Sequence, residues 1–304
     1  VPWNDFSFCD PMKKILSASR RTDIPAFYLD WFLHCLTSGS FSLVNPFNGS
    51  LRRVTAGREE VGAIVFWSKN FGFLLERLKE LSGWNLLFNF TLNSPDPVLE
   101  PHLPPMKDRL EQMRTLVTVF GPRAVRWRFD PVVFYRTADG ESNNLRQFRR
   151  LLDFAARLGV DRCTVSFMDR YRKIELREKR IRGFNFVYPE TARLAEVAAS
   201  MADLAAERRI RLLTCCEAEL VARGIENLEA GSCIDHGLIA SLYDVQLSHK
   251  QDKGQRKSTG CLCHESIDIG SYREQPCRCG CLYCYANPVI GGEDESGQGN
   301  RPAQ

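Results

Sequence analysis

No apolar run in this 304-residue chain approaches the roughly 18 to 20 residues that a bilayer span needs, which excludes a helical membrane protein. The opening VPWNDFSFCDPMKK lacks the apolar core of a signal peptide, so the predicted compartment is the reducing cytoplasm, with no membrane partner. Charge of one sign is also missing: 41 Lys and Arg against 37 Asp and Glu leave +4. That permits an anionic partner without requiring one, because nucleic-acid binders usually carry a strong basic bias. No internal repeat suggests a solenoid. With 44% hydrophobic and 26% charged residues, the chain is neither disordered nor collagen-like. Its length suits one large domain or two small ones.

Cysteine is abundant instead. Of 12 cysteines, Cys261, Cys263, Cys277, Cys279, Cys281 and Cys284 fall within 24 residues. In a reducing compartment, thiols so clustered are expected to hold a metal rather than to pair as disulfides.

Short β-rich runs alternate with helical ones. Strands are predicted at 14–19, 41–44, 61–67, 86–92, 124–129, 162–167 and 210–215, with an eighth at 241–247. Helices are predicted at 27–37, 71–81, 106–120, 144–158 and 191–208. This alternation predicts an α/β fold: a complete or partial (β/α) barrel over residues 12–250, with a cysteine-rich iron–sulfur cap at 251–290. Met12 opens MKKILSAS, so residues 1–11 are read as an N-terminal extension. The Gly-rich polar residues 291–304 are read as a flexible tail.

Most predicted strands run from apolar into polar residues at their C-terminal ends, which in a barrel converge on the face where ligand sites are built. Arg20, Arg21, Asp23, Lys69, Arg126, Arg128 and Asp130 are the pocket candidates. Arg126, Arg128 and Asp130 share one strand face by two-residue alternation. Several cations on one face suit carboxylate or phosphate groups. The plain alternative is that each residue is polar because loops are wet.

Cys277, Cys281 and Cys284 have C-x3-C-x2-C spacing. Three thiolates so spaced can hold three irons of a cubane and leave the fourth iron open. With the following Tyr285, this spacing resembles the cluster signature of radical S-adenosylmethionine (SAM) enzymes, and CLYCYAN is similar to the spore photoproduct lyase group. Here the three cysteines lie near the C-terminus, whereas radical-SAM enzymes usually carry them after the first strand. Over nearly its whole length, the chain resembles the domain-of-unknown-function family 1848. The segments that carry the likeness are SASRRTDIPAFY, NPFN, VFWSKN, FTLN, RWRFDPV, SFMDRY, CID and CxCxxSxDIGSY through CLYCYAN.

The resemblance implies a [4Fe–4S] cluster held by Cys277, Cys281 and Cys284, SAM at its open iron, and an unknown substrate. An electron donor such as ferredoxin or flavodoxin would then be needed. Cys216, Cys233, Cys261 and Cys263 are candidate ligands of a second cluster, although Cys215 and Cys216 also read as small buried hydrophobes. Cys9, Cys35 and Cys163 read as ordinary thiols, and Cys279 as a bystander. Gly291-Gly292-Glu293 is similar to a SAM-binding motif but follows the cysteines too closely, and is read as coincidence.

The competing class is a non-catalytic binding module: a structural clasp, a redox sensor or a nucleic-acid-binding protein. In it, zinc or a closed cluster is held by two knuckles, Cys261-x-Cys263 and Cys281-x2-Cys284. His264 and His236 are read as loop histidines before ligands. The basic stretch 250–257 raises a nucleic-acid partner, but reads first as a solvated linker.

Overall fold

The computed structural model describes residues 12–44, 49–253 and 259–290. The expected extension at 1–11, the tail at 291–304 with its Gly-Gly-Glu, the NPFN segment and part of the basic stretch lie outside the described residues, as does Cys9.

The chain begins with β1 (Lys14–Ala18), α1 (Ile24–Phe27), α2 (Leu29–Thr37), β2 (Ser40–Val44), β3 (Leu51–Thr55), β4 (Val61–Ser68) and α3 (Gly72–Glu76). It continues through β5 (Leu86–Thr91), α4 (Met106–Phe120), β6 (Val125–Val132), β7 (Phe134–Thr137), β8 (Gly140–Asn143), α5 (Phe148–Arg157) and β9 (Arg162–Phe167). The last part holds α6 (Arg172–Glu178), β10 (Asn185–Val187), α7 (Thr191–Ala206), β11 (Arg211–Thr214), α8 (Ala218–Val221), β12 (Leu228–Ala230), α9 (His236–Tyr243) and β13 (Ile267–Asp268).

β1, β4, β5, β6, β9, β11 and β12 lie side by side in chain order, all parallel, and β13 adds to the other edge of β1. This is the strand order of a (β/α) barrel. Among the described residues no ladder joins β12 to β13, so the barrel is partial. β2 and β3 form a separate antiparallel hairpin, which removes residues 41–44 from the expected main-sheet strands. A small antiparallel sheet, β10–β7–β8, stands apart as well.

Two-residue alternation sorts each strand between two layers. Leu16, Phe66, Phe88, Trp127, Val165 and Leu212 face outward into the core shared with the helices. α4 meets it through Met113, Leu116 and Val117, and α7 through Ala198, Met201, Ala202 and Ala205, each at helical spacing. Gly121, at φ +82°, ends α4 in a conformation that favours glycine, its N–H bonding Val117 O.

Ile15, Ala63, Val65 and Leu87 face the other way and pack with Ile234, Leu238, Ile239 and Leu247. α9 therefore covers the inner wall of one half of the sheet. This corrects the predicted eighth strand at 241–247. Asp235 accepts from Leu238 N and caps a helix through Tyr243, and the strand-like pairing that remains is a single bridge from Leu247 to Lys13, just before β1. The place beside β1 is split between that bridge and Ile267–Asp268, which lies in the segment read as the cap. None of the described helices is long and apolar enough to cross a membrane.

Candidate metal centre

The polar strand ends meet the cysteine-rich segment at the carboxyl edge of the parallel sheet. Arg20 and Arg21, just beyond β1, fasten that segment down. Arg20 N donates to Asp268 Oδ1 at 2.9 Å and Arg20 Nη2 to Ser266 Oγ at 2.9 Å. Arg21 Nε lies 3.3 Å from Asp268 Oδ2, and Arg21 Nη1 donates to Gly270 O at 3.0 Å. Both act here as clamps between β1 and β13.

Asp23 is buried, caps α1 through Ala26 N, and accepts from Ser68 Oγ at 2.7 Å and Lys69 N at 3.1 Å. Burial raises its carboxyl to about 6 against those hydrogen bonds. Lys69 Nζ reaches Glu100 Oε1 at 2.7 Å, and Asn93 Nδ2 donates to the same oxygen at 3.0 Å. Tyr283 OH also donates to Glu100. Burial alone would raise Glu100, but the charges of Lys69 and Arg109 hold it below the usual carboxylate range.

The thiols form two groups. In the first, Cys233 Sγ lies 3.5 Å from Cys215 Sγ, and Cys215 Sγ lies 3.9 Å from Cys216 Sγ. Cys216 contacts Cys261, Cys261 contacts Cys263, and Cys263 contacts Cys233, closing a ring of five sulfurs. Neighbours along a strand point to opposite faces. Cys216, at φ +66°, breaks that alternation just beyond β11, and the two adjacent thiols meet. Hydrogen bonds from Cys215 and Cys263, then the charges of Arg128 and Arg126, hold the Cys233 thiol well below its usual range. Arg128 is itself fixed by Asp130, which also accepts from Ser166 Oγ, and it stacks 5.2 Å over the Trp67 ring.

The second group packs over the strand-end loops with Leu99, Val133, Tyr135 and Phe184. Cys279 contacts both Cys277 and Cys281, and Cys284 lies within electrostatic reach of the latter two. Cys279 thus lies between the other thiols of the group, and its Sγ is 3.8 Å from Asp23 Oδ2. Arg177 ties the segment to α6 by donating to the carbonyls of Cys281 at 3.3 Å, Leu282 at 2.7 Å and Cys284.

This sorting corrects the two-knuckle zinc pairing, since Cys261 and Cys263 pack with one group and Cys281 and Cys284 with the other. His236 and His264 stack on each other at 4.8 Å, and both His236 ring nitrogens face backbone carbonyls. Among the described residues, no three His, Cys, Asp or Glu side chains are set to hold a single metal ion as they stand. The donor chemistry nevertheless fits a thiolate-bound metal: soft, mostly buried sulfurs lie beside fixed cations.

The model of the family described as a domain of unknown function, DUF1848, matches residues 15–286, a span that contains both thiol groups and all of the parallel sheet but Lys14. The chain belongs to that family. No curated protein matches this DUF1848 chain. Among solved structures, a sugar phosphate isomerase/epimerase from Parabacteroides distasonis is similar to it at 9% identity and a TM-score of 0.30, over 90% of this chain and 93% of that one. At that score the likeness carries no functional weight.

Sequence reasoning passed over Glu100, Arg177 and Tyr283 as site residues, and left Cys215 as a small hydrophobe. Only the adjacency of Cys215 to Cys216 could have drawn attention to it.

Proposed function

We propose that this DUF1848 protein is a cytoplasmic iron–sulfur enzyme of the radical-SAM kind, with Cys277, Cys281 and Cys284 as the ligands of a [4Fe–4S] cluster. The reading is carried by the gathering of these thiols at the carboxyl edge of a parallel sheet, beside the buried Asp23, Lys69 and Glu100. A cluster with an open iron supplies, when bound, an electron for cleaving a sulfonium such as SAM, and an external ferredoxin or flavodoxin would replace that electron.

The chain's own residues have definable tasks. Lys69 contributes a cation next to Cys281 and is held there by Glu100. Arg177 anchors the backbone of the cysteine segment, and Leu282 and Tyr283 exclude water beneath it. Arg128 offsets thiolate charge in the five-sulfur ring, where Cys216, Cys233, Cys261 and Cys263 are the ligands of a second cluster and Cys215 is an additional donor.

Anaerobic purification followed by iron, sulfide and zinc quantification tests the reading. It expects about four irons and four sulfides per cluster and, with reductant and SAM, 5′-deoxyadenosine. Zinc without labile sulfide would overturn it.

A second reading, a non-catalytic zinc clasp, is favoured by the sulfur separations of 3.5 and 3.9 Å in the ring. Tetrahedral zinc with bonds of roughly 2.3 Å sets its sulfurs ~3.8 Å apart. About one zinc per chain, retained without any SAM cleavage, would select it.

A further inference from the structure

The inner wall of the partial barrel is divided. α9 fills the half under β1, β4 and β5 with apolar side chains. The half under β6, β9, β11 and β12 carries Arg126, Arg162, Arg211 and Glu229, and there a cavity of about 390 Å³ remains. Asp235 and His264 also line it. Its size is that of a small-molecule site rather than a packing defect.

Arg126 is the anomaly in this cavity. It is 2% exposed, and neither Nε nor Nη1 has a hydrogen-bond partner among the described residues. The cavity's other charged groups are engaged elsewhere. Arg162 is forked onto Asp161 at 2.8 and 3.1 Å, and Arg211 faces Glu229 at 3.6 Å. Asp235, whose charge reaches Arg126, turns Oδ1 to Leu238 N as the cap of α9. Two residues further along the strand, on the same face, Arg128 takes both Asp130 and Cys233. Cys233 and Asp235 offset part of the Arg126 charge through space, but two of its buried N–H-bearing nitrogens carry no hydrogen bond, so a fold that retains them gains from an anion placed against them.

We infer that this cavity is a binding site for the anionic oxygen group of a small molecule, a carboxylate or a phosphate, with Arg126 as its principal anchor. Arg162 and Arg211 add positive potential at the wall. The planar fork of Arg126 suits two oxygens of one group at once, which a point charge does not. The inference stands on the cavity and its arginine, and does not depend on which metal the thiols hold.

Calorimetric titration of the protein as purified, with inorganic phosphate and separately with malonate at chloride-matched ionic strength, tests it. Saturable binding of at least one anion is expected. Preference for phosphate assigns a phosphoryl ligand, and preference for malonate a carboxylate. Arg126→Met should weaken that binding at least tenfold and Arg126→Lys by roughly tenfold, while Arg211→Ala weakens it less. If neither anion saturates the wild-type protein, or if Arg126→Met binds as the wild type does, the site is wrong. The wild-type result decides even if a variant does not fold. Metal content measured on the same samples separates this outcome from failure of the iron–sulfur reading.

Discussion

Arg128 Nη1 donates to Cys233 Sγ at 2.6 Å, while the same guanidinium holds Asp130. One buried cation thus joins a strand-end carboxylate to a thiol that arrives from more than a hundred residues later in the chain. The contact links the polar edge of β6 to the five-sulfur ring, and it makes the ring's charge depend on the sheet beneath it.

Arg128→Met keeps the volume and removes the charge, leaving Asp130 with Ser166 alone. Breaking a fully buried pair from one side costs about 3–5 kcal/mol. Asp130 keeps partial solvent access, so a loss of about 2–3 kcal/mol is expected from urea midpoints at unchanged m. Arg128→Lys should recover part of it. Wild-type stability in Arg128→Met would show that the pair contributes nothing.

Serine substitutions should divide the cysteines into sets. Cys277→Ser, Cys281→Ser and Cys284→Ser are each expected to reduce iron and sulfide by one cluster's share. Cys233→Ser and Cys263→Ser should deplete the other group. Cys35→Ser, on α2 and packed against the outer core, should change neither, which makes it the control. Equal metal loss from every substitution, Cys35 included, would point to general unfolding rather than ligation.

Acid should loosen the Lys69–Glu100 network. Glu100 has a folded pKa below its ordinary 4.5, because Lys69 and Arg109 outweigh the penalty of burial. The stability it contributes is present above pH about 4.5 and is lost as pH falls through the folded value, since the unfolded chain takes up the proton first. Glu100→Gln should lower stability at pH 7 by about 3 kcal/mol and flatten the acid limb of the stability–pH curve. Parallel acid limbs in the two proteins would contradict the assignment.

Leu247 and Gly62 form a steric pair at the split edge of β1. A Cβ on Gly62 would lie 2.8 Å from Leu247 Cδ2 and 3.1 Å from Lys13 Cβ. Gly62→Ala should cost about 1–3 kcal/mol by overpacking. Leu247→Ala should cost about 2–4 kcal/mol through the cavity it leaves. Because the second change removes the clash created by the first, the double variant should lose less than the sum. Strict additivity in denaturant unfolding would mean that the two side chains do not meet.

Local pattern was enough for much of the scaffold. The predicted α4 at 106–120 coincides with the helix formed, because its apolar spacing and the following Gly121 both act within a few residues. Six of the seven principal strand expectations lie in the parallel sheet for the same reason: buried β-rich runs alternate with amphipathic helices. The shared face of Arg126, Arg128 and Asp130 was legible too, since strand alternation is local. The α9 segment was misread because SLYDVQL suits either state by itself, and the Asp235 cap together with the concave wall selects helix.

By itself, then, the sequence determined a soft-donor chain rich in clustered thiols, carried on a strand–helix repeat, because residue type and short-range period specify those things. Tertiary structure alone decided which thiols stand together, that Cys215 and Cys279 lie among them, that Arg20 and Arg21 tie β1 to the cysteine-rich segment, and that two buried nitrogens of Arg126 lack a hydrogen-bond partner among the described residues. Those outcomes depend on contacts between residues far apart in the chain. Burial and charge act through distance in space, and spacing along the backbone does not encode that distance.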